Sequence, residues 1–129
     1  MKTRIYILDD QQVFIDGIMH LFRNDPDIEV TGFTTDASIF LKNYDCSKFD
    51  ILLVDYKMPE INGIQLIKKL EDEINYLKII MVSVYHDINV LQDAIGAGAK
   101  GYIVKNSSAK EFKNAFKKVM NGESYYKIH

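Results

Sequence analysis

The chain has 129 residues, 47% of them hydrophobic and 26% charged, with a formal net charge of −2. That length suits one domain with a single core, and so small a charge excludes a global field drawing the chain to nucleic acid or membrane. No apolar run nears the ~20 residues of a membrane span, residues 1–20 lack a signal-peptide pattern, and the lone Cys46 rules out a disulfide framework, so a reducing cytoplasm is the expected location.

Arg4 to Leu8 reads as a strand that ends in Asp9-Asp10. A helix follows, with Phe14, Ile18, Leu21 and Phe22 as its apolar stripe. Residues 24–27, Asn-Asp-Pro-Asp, stop it. Residues 28–33 alternate and predict an edge strand. Thr34-Thr35-Asp36 offers a helix N-cap ahead of Ala37, Phe40, Leu41 and Tyr44. Ile51 to Val54 is an unbroken apolar run, expected of a strand covered on both faces, and it runs into Asp55. Pro59 and Asn62-Gly63 break the chain before a helical pattern at Ile64, Ile67 and Leu70. Leu77 to Ser83 is the fourth strand. Its helix starts at Asp87 and buries Val90, Leu91, Ala94 and Ile95. Tyr102 to Val104 is a short strand leading to Lys105. Ser108 and Glu111 have capping-box spacing, and Phe112, Ala115, Phe116, Val119 and Met120 form the last stripe, closed by Asn121-Gly122.

Five repeats of strand then helix predict an α/β fold. Crossovers of this length favour a single five-stranded parallel sheet with right-handed connections and helices on both faces. Residues 96–101 fit the dinucleotide pattern G-x-G-x-x-G. That pattern needs a strand before it and a helix N-terminus after it, whereas here a helix precedes and a strand follows, so a helix stop and turn is the better reading. The three histidines show no metal-ligand spacing.

Four strands end in polar residues: Asp9-Asp10, Asp55, Ser83 and Lys105. Parallel strands put their carboxyl ends on one edge, where open α/β sheets bind ligands, and a strand order 2-1-3-4-5 brings all four together. Carboxylates gathered there repel one another, and a divalent cation relieves the repulsion. All-oxygen ligation without His or Cys points to Mg²⁺, with Mn²⁺ as the substitute. Lys105 brings a mobile positive charge suited to a phosphate oxygen, and Ser83 one hydroxyl donor. Carboxylate, cation, lysine and hydroxyl together suit phosphoryl transfer onto Asp55.

These motifs resemble the receiver domain of bacterial two-component response regulators. The likeness rests on Asp9-Asp10, Val54-Asp55 with Met58-Pro59 and Asn62-Gly63, Ser83, and the run from Gly98 to Lys105. Asp10 to Ile18 and Asn121-Gly122-Glu123 are similar to the subgroup with a C-terminal LuxR-type DNA-binding domain. The resemblance implies a flavodoxin-like receiver fold over residues 1–122, with 123–129 starting a linker or tail. It implies that Asp55 accepts a phosphoryl group from a sensor histidine kinase. Asp10, Asp55, Asp9 and the Lys57 backbone carbonyl would hold Mg²⁺. Lys105 would pair with the phosphoryl oxygens, Ser83 would turn toward them, and Tyr102 would repack inward. It further implies a homodimer on phosphorylation, DNA contact only through a domain outside this chain, and no membrane partner.

Four positions depart from the family pattern. Val84 stands where a small residue is usual, Lys57 and Tyr85 flank the path of the attacking water, and Asn106 replaces a proline after Lys105. The resemblance implies a cis Lys105–Asn106 bond, at about 2.5–4 kcal/mol without proline. The rival reading is a Mg²⁺-dependent phosphohydrolase with an aspartyl-phosphate intermediate. It needs a second Asp two residues after the nucleophile, and that residue is Lys57. A flavin binder would need a phosphate loop where two aspartates stand. An acceptor site complete in residue types argues against a degenerate receiver.

Overall fold

In a computed structural model, Ile51–Asp55 (β3) lies at the middle of the sheet with every residue buried. The structure describes residues 1–127 apart from 71, 74 and 75. Ahead of β3 come Thr3–Leu8 (β1), Gln12–Phe22 (α1), Ile28–Thr34 (β2) and Ala37–Asn43 (α2). After it come Gly63–Lys69 (α3), Lys78–Ser83 (β4), Ile88–Ala97 (α4), Gly101–Val104 (β5), Ala109–Met120 (α5) and Tyr125–Tyr126 (β6). A single 3-10 turn at Cys46–Lys48 precedes β3.

All pairings are parallel, in the order β2-β1-β3-β4-β5-β6. Side chains alternate between the faces of each strand, so each run feeds two cores. Leu52, Val54, Met81 and Tyr102 pack with Phe40, Leu66, Ile67 and Leu91 beneath α2, α3 and α4. Leu53, Ile80, Val82 and Ile103 pack with Ile15, Ile18, Phe112 and Phe116 beneath α1 and α5. Each such side chain contributes about 1.5–3 kcal/mol by leaving water. Alternation in β2 marks an edge strand, as expected, and β2 is the sheet's outer strand on that side.

The sheet has six strands, not the expected five. Tyr125-Tyr126 lies parallel to Gly101-Tyr102 and closes the β5 edge. Tyr125 N–H donates to Lys100 carbonyl oxygen at 2.9 Å, and Lys127 N–H to that of Tyr102 at 3.0 Å. The Tyr126 hydroxyl donates to Ala99 carbonyl oxygen at 2.8 Å, and Lys127 pairs with Glu111. The first part of the expected tail is therefore laid on the sheet, while Ile128 and His129 lie outside the described residues.

Three smaller expectations change. In α1 the buried line is Ile15, Ile18 and Phe22, with Phe14 half-buried and Leu21 outward. A helix of 3.6-residue period offers two neighbouring lines, and contact with the sheet selects one. In α4 Ile95 faces out, because Val90, Leu91 and Ala94 already fill the short helix's contact with the core. No cis peptide bond occurs among the described residues, so Lys105–Asn106 is trans, free of the cis penalty that a non-proline residue would carry. The glycine-rich run behaves as read. Gly98 ends α4 in the left-handed region at φ 109°, and β5 begins three residues on.

Candidate functional site

The carboxyl ends of β1, β3, β4 and β5 meet in one cleft of about 780 Å³. Asp10, Asp55, Lys57, Ser83, Tyr85 and Lys105 all line it. Asp55 is the last residue of β3, and the backbone beyond it folds back at once. Tyr56 N–H donates to Val82 carbonyl oxygen at 2.8 Å, and Gly63 N–H to that of Tyr56 at 2.7 Å. Between them Glu60 holds φ 68°, a strained conformation for a residue with a side chain. Asn62 and Gln65 then form a reciprocal capping box that starts α3.

This tight return needs a glycine. A Cβ at Gly63 would lie 2.7 Å from the Asp55 carbonyl oxygen and 3.1 Å from the Tyr56 Cα. Backbone atoms cannot step aside cheaply. Gly63→Ala is expected to cost about 1–3 kcal/mol of stability and to displace Asp55. Thermal melting checks the first effect. A changed backbone amide NMR signal at Asp55 checks the second.

Asp9 and Asp55 are buried, and Asp10 is more open. One oxygen from each of the three carboxylates lies within 4.8 Å of the others. Asp9 Oδ1 accepts from Gln11 N–H at 2.8 Å. Asp9 Oδ2 is buried without a hydrogen bond. The Lys105 ammonium stands 2.8 Å from it, an ion pair without hydrogen-bond alignment. Lys105 Nζ is also 3.5 Å from Asp55 Oδ2. Burial, then the charge of Asp9, pushes the Asp55 carboxyl up to about 7, with Asp10 adding to the rise and Lys105 opposing it. One ammonium is thus too little for three carboxylates. An orphaned buried oxygen, clustered carboxylates and all-oxygen donors fit a hard divalent cation.

Ser83 is buried at the end of β4, where its Oγ takes only a long 3.4 Å bond from Tyr85 N–H. Tyr102 is fully buried, its hydroxyl donating to Tyr85 carbonyl oxygen at 2.9 Å. Tyr102 thus already occupies the inward position that the resemblance assigned to the phosphorylated form. Val84 and Tyr85 stand exposed at the cleft mouth. The structure brings Asp9, Asp10, Asp55 and Lys105 together, with Lys57 and Ser83 on the same cleft. Sequence reading passed over Gln11, whose Oε1 accepts from Lys105 Nζ at 2.9 Å.

The family model described as the response regulator receiver domain matches residues 5–117. The transcriptional regulatory protein DesR of Bacillus subtilis is 34% identical over 125 residues, covering 95% of this chain and 60% of DesR. The transcriptional regulatory protein DegU of Brevibacillus brevis is 27% identical over 124 residues, covering 96% of this chain and 52% of DegU. The chain therefore spans little more than half the length of these curated relatives. A two-component response regulator of the LuxR family from Aurantimonas superposes with a TM-score of 0.87 at 23% identity, over 97% of this chain and 89% of that one. At that identity the likeness is one of fold.

Proposed function

Since this chain belongs to the response regulator receiver family, we propose that it is a phosphoacceptor switch with Asp55 as the acceptor. The observation that carries this reading is one cleft holding three carboxylates within 4.8 Å beside the Lys105 ammonium. An Asp55 oxygen attacks the phosphorus of a phosphohistidine on a sensor kinase. A P–O bond forms, the P–N bond breaks, and the imidazole nitrogen keeps the electron pair and takes a proton. A divalent cation, Mg²⁺ with Mn²⁺ as the alternative, would, when bound, favour the ionised form of Asp55 and offset the phosphoryl charge. Asp10, Asp9, Asp55 and the Lys57 carbonyl would hold it.

The chain's own residues do the rest. A phosphoryl group brings about −2 charge and three acceptor oxygens. Lys105 Nζ, 3.5 Å from Asp55, is placed to donate to one of them. Ser83 exchanges its long bond from Tyr85 N–H for another. The loop after β4 follows Ser83, and the Tyr102 hydroxyl on Tyr85 links that movement to β5. A switch from ~1% to ~99% active needs a differential of about 5.5 kcal/mol. Charge-assisted hydrogen bonds at about 1.5–3 kcal/mol each supply that scale.

The phosphohydrolase alternative has no acid at residue 57 to protonate a leaving group, so the protein acts once per phosphoryl group received. The receiver, expected over residues 1–122, runs on through β6 to Lys127. In relatives that are transcriptional regulators this chain covers about half the length, so DNA is met through a C-terminal domain outside these residues. Phosphorylation promotes a homodimer. A cytoplasmic location goes with membership of the receiver family; no described helix is long and apolar enough to cross a membrane.

The test is incubation with acetyl phosphate, with and without Mg²⁺, followed by intact mass. The expected product carries one phosphoryl group and forms only with the cation. Equal uptake in EDTA would count against the metal assignment, and no uptake in either case against the acceptor.

A further inference from the structure

The chain breaks a local rule at the start of α1. Gln11 occupies the N-cap with extended backbone, φ −100° and ψ 104°, yet its side chain makes no capping bond. The caps of α2, α3, α4 and α5 are Asp36, Asn62, Asp87 and Ser108, and each accepts from the first turn of its helix. Glutamine is a poor N-cap beside Ser, Thr, Asp or Asn. A local rule broken without local gain points to a use elsewhere.

That use is visible across the cleft. Gln11 Oε1 accepts from Lys105 Nζ at 2.9 Å. The same ammonium sits 4.9 Å from the ring centroid of Phe14, one turn along α1. The Gln11 backbone N–H is bonded to Asp9 Oδ1, which fixes the amide's root beside the carboxylates. Lys105 carries its charge on a four-carbon stem with no preferred direction. Its carboxylate partners are Asp55 Oδ2 at 3.5 Å and, closer, Asp9 Oδ2 at 2.8 Å. A cation held by Asp9 and Asp10 would draw that carboxylate's charge, leaving Gln11 and Phe14 to hold the ammonium. A neutral carbonyl can do so without cancelling the charge that a phosphoryl oxygen must meet. A carboxylate at residue 11 would cancel it.

We infer that Gln11 is a positioning residue for Lys105, keeping its ammonium aimed at Asp55 so that the phosphoryl group meets an already ordered donor. This rests on the phosphoacceptor reading. The decisive variant is Gln11→Ser, which removes the hold on Lys105 while supplying a good N-cap. It should melt a few degrees higher yet take up phosphoryl from acetyl phosphate about tenfold more slowly at saturating Mg²⁺, the scale of one charge-assisted hydrogen bond. Gln11→Met, of similar stem length without the carbonyl, should show the same slowing at unchanged melting temperature. Calorimetric Mg²⁺ affinity should stay within about twofold in both.

A readout free of activity is the ¹⁵N signal of the Lys105 ammonium in metal-free protein. It should exchange its protons faster with water in both variants. Unchanged uptake rates and unchanged exchange would overturn the inference. A parallel loss of rate and Mg²⁺ affinity would overturn it too, by assigning Gln11 to the metal site. Wild-type protein that takes up no phosphoryl group would sink the acceptor reading instead, and the Lys105 signal would still decide the contact.

Discussion

Asp55→Asn protein, incubated with acetyl phosphate and Mg²⁺, is expected to gain no mass while keeping its fold. The amide has the shape of the carboxylate and lacks its charge. Its oxygen is a poor nucleophile, because the lone pair on nitrogen does not leave an anionic oxygen free to attack phosphorus. The group that Asp55 ends is β3, buried on both faces, so an isosteric change leaves the strand's packing intact. Two other carboxylates lie within 4.8 Å. Either could in principle receive a phosphoryl group, and full uptake by Asp55→Asn would show that one does. Peptide mapping would then place the modification on residue 9 or 10 and reassign the acceptor. The expected loss is complete, since Asp55 alone of the three carboxylates both lines the cleft and pairs with Lys105.

The same substitution should stabilise the protein when no cation is present. The folded state lifts the Asp55 carboxyl from an ordinary 3.8 to about 7. A raised carboxyl means the folded state prefers the proton. The stability it contributes is full below pH 4 and is lost as pH rises through 7. At pH 8 in EDTA the ionised group costs the fold up to about 4 kcal/mol relative to an unperturbed carboxyl. Asn carries no charge and should recover much of this, raising the melting temperature by roughly 5–10 °C. At pH 5.5 the wild-type group is mostly protonated, and the gain should shrink by about half. Saturating Mg²⁺ at pH 8 should close the gap, because wild type alone then has its full set of ligands. A gain that ignores both pH and Mg²⁺ would mean that Asp55 is not held in conflict with its neighbours.

Much of this was legible in the residues. Buried runs such as Ile51 to Val54 have no polar alternation, and each ends abruptly in a charged or hydroxyl group, which identifies both strand and site. Ser108 with Glu111 announces a helix start, and the structure shows that box closed. Asn62 read only as a breaker, although Gln65 three residues on makes it a cap. The face of α1 was misjudged by one line because Phe14, Leu21 and Ile15 satisfy the period equally. β6 was missed for a different reason. Two tyrosines in a polar stretch show no periodicity, and their place is set by carbonyls of residues 99, 100 and 102 and by Glu111. Gln11 was silent too, since a polar residue after two aspartates looks solvated. The usable sign was a poor capping residue at a helix start.

The short sixth strand leaves the sheet with unequal margins. On the β5 side, carbonyl and amide groups that might otherwise recruit a foreign strand are already taken by Tyr125 and Lys127. The free borders are then β2, seven residues long, and β6, only two residues long. Strand-to-strand self-templating, the route to fibrils, therefore finds only a two-residue strand to extend on the β6 side. Chains cut short before Tyr125 would bare the buried β5 as that border, and should aggregate sooner on storage at high concentration.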